Sequence, residues 1–197
     1  MTSENKIIFI TGTPCVGKTT IASNLVDNLS NDFNTKLIKI NDLAIEKNLI
    51  LGEDVDKGYK IVDIPSLNES LNKVMKDFFN LKMENNNPKL IIVEGHLSHF
   101  CSNCDKCIVL RLNPLILKKR LESRKYKESK VNENLEAEAL SVCSVEAFEN
   151  HGEHVDEIDT TNKSIENVIN IIKDIILNDT HFPVGNVDFM QWILENE

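Results

Sequence analysis

The sequence predicts an α/β protein of three layers, with helices on both faces of a central parallel sheet. Three observations point there. Short apolar runs at 6–10, 35–40, 89–94, 107–112 and 154–159 read as strands, and amphipathic segments at helical spacing alternate with them. The run Lys89-Leu90-Ile91-Ile92-Val93-Glu94 is continuously apolar and closes on a carboxylate, as a strand buried on both faces does. The first strand leads into Gly12-Thr13-Pro14-Cys15-Val16-Gly17-Lys18-Thr19-Thr20, which fits the phosphate-loop pattern G-x-x-x-x-G-K-[ST] at every fixed position.

That loop organises the chain. Consecutive backbone N–H groups turned inward make a concave anion site, and the following helix adds the partial positive charge of its N-terminus. Gly12 and Gly17 supply backbone turns that a side chain would block. Cys15, Val16, Gly17 and Thr20 contribute the backbone of the cradle, and Lys18 reaches the outer phosphates. The Thr19 hydroxyl stands where Mg²⁺ would bridge them.

Taken in order, the first strand and loop open a helix to about residue 29, and residues 30–34 form a turn. After the second strand, Asn41-Asp42 is expected to cap a short helix. Residues 52–58, rich in acids and bounded by glycines, read as irregular and mobile, and 59–64 as a short extended piece. Pro65-Ser66 opens a helix to about residue 83, with Leu67, Leu71, Val74, Met75 and Phe78 on one face. The buried strand ending at Glu94 is expected beside the first strand. Residues 114–124 read as a helix, 125–130 as a charged loop, and 132–149 as one long helix. Thr160-Thr161-Asn162 is expected to cap a helix at 165–177, and 186–197 to form a closing helix carrying Trp192.

The chain has 197 residues, enough for one domain with an ample core. Its net charge of −9 repels a phosphate backbone, which argues against autonomous nucleic-acid binding and favours a basic protein partner. The start of the chain is too short in apolar residues for a signal peptide, and no run is long enough to span a bilayer, so a cytoplasmic protein is expected. Five cysteines do not make a secreted disulfide framework. Cys101, Cys104 and Cys107 lack the second pair of a structural zinc site.

Two further constellations carry chemistry. Glu94-Gly95-His96 places a carboxylate at a strand end, where it would hold Mg²⁺ or its water shell, and an imidazole that can orient or deprotonate a water. Arg120 and Arg124 share a helix face, and Arg124 stands where the charged loop begins, suited to clamp a phosphoryl group in transfer.

Together these residues resemble the small monophosphate kinases among the P-loop NTPases. More closely they resemble the atypical adenylate kinase isoenzyme six family, known also as a ribosome-assembly ATPase. The resemblance rests on the phosphate loop, on Asn41-Asp42-Leu43-Ala44, on Glu94-Gly95-His96, and on Ser123-Arg124-Lys125-Tyr126 and Asp159-Thr160-Thr161. It departs at Cys15, where the family often has Gly, and at Glu94, where it often has Asp. The resemblance implies an ATP- and Mg²⁺-dependent nucleoside monophosphate kinase, AMP being the expected acceptor, with intrinsic ATPase activity. It implies a single domain with a monophosphate-binding segment at about 39–62, where Asn41 and Asp42 hold the acceptor, and a lid at about 123–133. Lys18, Glu94, His96 and Arg124 are then the catalytic set, with Thr19 and Glu94 on the metal. It also implies a role in late maturation of the small ribosomal subunit and its 16S/18S rRNA, through a basic ribosomal protein. An assembly ATPase without kinase activity and a kinase for another small molecule fit the same residues.

Overall fold

The computed structural model describes residues 4–54 and 59–196. Five parallel strands form the sheet: β1 (Lys6–Thr11), β2 (Asn34–Lys39), β5 (Lys89–Glu94), β6 (Lys106–Arg111) and β7 (Val155–Asp159), in spatial order β2-β5-β1-β6-β7. The expected three-layer α/β architecture is present. β1 is central, with Ile10 opposite Glu94 of β5 and Ile108 of β6. All five strands therefore deliver their C-terminal ends to one edge, where Thr11 meets the phosphate loop.

Alternation along β1 builds two cores. Ile8 and Ile10 face α1 (Lys18–Leu29) and α7 (Ile165–Asn178), packing with Leu25, Leu29, Ile172 and Ile176. Phe9 points the other way, into Leu67, Leu71 and Met75 of α3 (Ile64–Asn80) and Ala147 of α6 (Val142–His151). Both faces of the sheet are thus covered, as an all-parallel sheet requires.

Several local expectations are corrected. α2 (Ile40–Glu46) starts a residue before Asn41-Asp42, with Lys39 at its N-cap, so these two residues lie in the first turn and cap nothing. α3 begins at Ile64 because Asp63 accepts the Ser66 N–H at 3.1 Å, and it ends at Asn80. Residues 52–54 are not irregular but belong to β3 (Ile50–Asp54), which pairs antiparallel, with a register shift between Ile50 and Gly52, to β4 (Tyr59–Val62), the extended piece expected at 59–64. The mobile turn expected at 55–58 lies outside the described residues. Ser164, not the Thr160–Asn162 triplet, caps α7 by accepting the Asn167 N–H. The closing helix α8 is confined to Met190–Asn196.

The region after α4 (Pro114–Ser123) differs most. The charged loop is short, because α5 already starts at Glu128, and the long helix is two: α5 (Glu128–Ala139) and α6. Ser141 breaks it with φ 58, in the left-handed region. The break lets Glu138 and Ser144 both reach the buried Arg111 at the end of β6. Two carboxylates, a guanidinium and a hydroxyl satisfied together outweigh the local preference for an unbroken helix.

Candidate functional site

The site grows from the end of β1. Gly12 takes φ 130, and a Cβ there would stand 2.4 Å from the Leu110 carbonyl oxygen, so only glycine lets the loop sit down on β6. Gly17 at φ 119 turns the chain into α1. Between them Cys15 holds φ 71, a left-handed conformation that glycine takes without strain. The cysteine at this position therefore carries a backbone cost that a glycine would not.

Lys18 is 9% exposed and folds back over the loop, donating to the carbonyl oxygens of Gly12 at 2.7 Å and Thr13 at 2.9 Å. Burial lowers the pKa of its ammonium, while Glu94 and Glu138 nearby pull the other way. The chain thus keeps a cation at the mouth of an N–H cradle. Arg120 reaches the loop from α4 and bonds the carbonyls of Cys15 at 3.3 Å and Val16 at 3.0 Å, bracing the loop from outside.

Glu94 arrives on β5, directly beside β1. The Thr19 hydroxyl lies 3.2 Å from each of its carboxylate oxygens. A hydroxyl and a carboxylate held this close at the mouth of an anion cradle are hard oxygen donors of the kind Mg²⁺ takes. Gly95 must follow: it holds φ 144, and a Cβ there would collide with Ile40 Cγ2 at 2.3 Å. That glycine carries β5 past the start of α2 and brings His96 over the loop.

His96 opens onto the cleft, yet protein surrounds its ring closely enough to push its pKa down to about 4, with the Lys18 ammonium adding to the effect. It is neutral at physiological pH and keeps a lone pair for a proton. His99 beneath it is 1% exposed, with Nδ1 2.7 Å from the Thr11 hydroxyl and Nε2 3.1 Å from Glu146. It holds the 95–100 loop on β1 and α6.

One pocket of about 260 Å³ gathers Cys15, Gly17, Lys18, Thr19, Thr20, Asn41, Glu94, His96 and Arg124, together with Tyr126. Asn41 reaches it from the first turn of α2, whereas Asp42 is exposed and lines neither this pocket nor the two beside it. Successive helical residues point about 100° apart, so only one of the pair faces the loop. Val16 is buried and lines the neighbouring cavity of about 410 Å³, with Arg120, Arg124, Thr160 and Val168. A larger cleft of about 1030 Å³ shares His96 and Tyr126 with the pocket of about 260 Å³ and is walled also by Val62 and Ile64, by Phe100, and by Lys127, Lys130 and Asn134.

Sequence reading missed Thr13, Tyr126, Glu138 and Arg111. The Tyr126 hydroxyl lies against the Cys15 thiol, and partial burial raises its pKa. A charged Arg111 closing an apolar strand was the visible sign of a buried network. Cys101 and Cys107 are buried, and burial raises the Cys101 thiol to about 11. Cys104 lies 3.5 Å from His151 Nδ1. Among the described residues no group of three or more His, Cys, Asp or Glu is arranged to hold a metal ion. Nor is any helix among them long and apolar enough to cross a membrane.

A phosphate loop at the C-terminal edge of a parallel sheet, with a hydroxyl–carboxylate pair beside its lysine, defines a nucleotide-binding P-loop protein. The family profile described as an AAA domain matches residues 8–141. A protein of Methanothermobacter thermautotrophicus named "Putative adenylate kinase" is 46% identical over 188 residues, covering 95% of this chain and 99% of that one. A protein of the same name from Methanococcus maripaludis is 37% identical, covering 94% and 96%. The chain belongs to this family. The thymidylate kinase of Candida albicans shares the fold, with a TM-score of 0.52 at 15% identity over 89% of this chain and 92% of that one.

Proposed function

We propose that this chain is an ATP-dependent nucleoside monophosphate kinase, with AMP as acceptor and a slower ATPase reaction at the same site. One observation carries the reading: the phosphate pocket is flanked by two cavities. A reaction between two nucleotides needs a seat for each, with the transferring group between them. The cavity beside Arg120, Thr160 and Val168 takes the donor nucleoside, and the larger cleft under the β3–β4 arm and the lid takes the monophosphate. The name of the relatives, putative adenylate kinase, supports the kinase reading.

In this reading the loop N–H groups and Lys18 hold the triphosphate. Thr19 and Glu94 would hold Mg²⁺, which neutralises phosphate charge when bound. Arg124, exposed at the C-cap of α4, clamps the transferring group as the lid segment 123–133 closes, and Asn41 meets the acceptor phosphate at the edge of segment 39–62. Neutral His96 orients or deprotonates a water when no acceptor is present. The two flaps exclude that water during transfer. A role in late small-subunit maturation, through a basic ribosomal protein, rests on the family resemblance and on the net charge of −9.

The test is a panel of nucleoside monophosphates with Mg·ATP, run on the wild type and on Lys18→Ala. Diphosphate formation with AMP, lost by on the order of a hundredfold or more in the folded variant, is the expected result. Near-normal turnover in Lys18→Ala would overturn the assignment.

A further inference from the structure

We infer that Glu138, from the last turn of α5, is a positioning residue for the phosphate loop, acting through the Thr13 hydroxyl. The inference rests on reading the loop as the seat of a triphosphate. Glu138 is 1% exposed and stands 125 positions along the chain from Thr13. The Thr13 hydroxyl donates to its Oε2. Its Oε1 accepts from Arg111 Nε at 2.8 Å and from the Leu112 N–H at 2.9 Å. Both oxygens of this carboxylate are engaged, one of them by the loop.

Arg111 fixes Glu138 in turn. Its Nη2 donates to the Glu138 carbonyl at 2.6 Å, while Nη1 pairs with Glu157 of β7 and with the Ser144 hydroxyl of α6 at 3.3 Å. Glu157 also accepts the N–H groups of Gly185 at 3.0 Å and Val187 at 3.3 Å. Glu138 is thus held by three elements of the core, and the loop is tied to that frame by one side chain. Thr13 matters because its carbonyl oxygen is one of the two that receive Lys18. Its side chain is anchored to Glu138 while its carbonyl receives the Lys18 ammonium. The anchor therefore sets where the Thr13 carbonyl and the adjoining N–H groups stand. It also joins the loop to α5, whose first half lies within segment 123–133.

The test compares wild type, Thr13→Val and Thr13→Ser. Valine keeps the shape and removes the donor; serine keeps the donor. Each protein is titrated with a fluorescent ATP analogue, assayed for the KM of ATP and of AMP, and unfolded in urea without nucleotide. Thr13→Val is expected to weaken ATP and raise its KM about tenfold, the worth of one hydrogen bond to a charged group, with the AMP KM within about twofold. Thr13→Ser is expected within about threefold of wild type throughout. A purely structural role would lower kcat through a smaller folded fraction and leave the ATP KM unchanged, and that result overturns the inference. So does Thr13→Val binding ATP as wild type does. If Thr13→Val does not fold, Glu138→Asp, which withdraws the carboxylate by one methylene, carries the test: wild-type ATP affinity there overturns the inference. Wild-type protein that binds no ATP analogue overturns instead the nucleotide reading on which it rests.

Discussion

His99 makes the stability of this protein fall in mild acid by an amount that the structure sets. The ring is 1% exposed, its Nδ1 accepts from Thr11 and its Nε2 donates to Glu146. Burial pushes its pKa from 6.5 down to about 4, and the Lys18 ammonium adds to the effect. Below pH 6.5 the unfolded chain binds a proton that the folded chain refuses, so stability is lost as pH falls and the loss is complete near pH 4. At pH 5 a pKa of 6.5 unfolded and about 4 folded corresponds to about 2 kcal/mol. The perturbation is His99→Gln, which retains an amide donor for Glu146 and removes the titrating ring. Urea unfolding at pH 7.5 and pH 5.0 is the assay. The variant is less stable than wild type at pH 7.5 but loses about 2 kcal/mol less between the two pH values. Burial raises the Glu146 pKa, and burial and Lys18 lower that of His96, but both groups remain in both proteins, so their titration largely cancels. An equal loss in both proteins would show that His99 is not held neutral by the fold.

Three other predictions concern the site. His96→Ala should lower ATPase turnover about a hundredfold while monophosphate phosphorylation falls less and ATP affinity is kept, because only water needs a base; parallel assays on one preparation check it, and equal losses would assign His96 to both reactions. Arg124→Ala should slow transfer much more than it weakens ATP binding, since the side chain is exposed at the C-cap of α4 and, in the proposed reading, engages only when segment 123–133 closes; nucleotide titration beside turnover separates the two. Cys15, half-buried in the loop, should be alkylated by maleimide and protected by Mg·ATP, which peptide mapping by mass spectrometry reads directly. Equal Cys15 labelling with and without nucleotide would place the triphosphate elsewhere.

Much of the fold was legible because its signals are local. The apolar run ending at Glu94 announces a strand buried on both faces, and the glycines at 12 and 17 with Lys18 announce an anion loop. The β3–β4 arm was hidden because its acids and Gly52 lower strand propensity, so its pairing had no local signal. The break at Ser141 was hidden because nothing local forbids helix there; Arg111 imposes it from another part of the chain. The same holds at the site. Lys18, Thr19, Glu94 and His96 follow a motif and a strand end. Thr13 occupies a position the motif leaves open, and its partner Glu138 is far away in sequence. One sign of it was available: Val131 and Leu135 mark the buried face of α5, and Glu138 continues that face as an acid. A carboxylate on a buried stripe requires a partner, and Arg111 is the cation that meets it.

Whether this site passes a phosphoryl group from ATP to a nucleoside monophosphate is read by incubation with γ-labelled ATP, Mg²⁺ and unlabelled AMP, followed by thin-layer separation. Label is expected in ADP, at a rate that exceeds release of labelled inorganic phosphate and that falls by on the order of a hundredfold or more in Lys18→Ala. Label found only in inorganic phosphate, at a rate indifferent to AMP, would contradict the kinase reading.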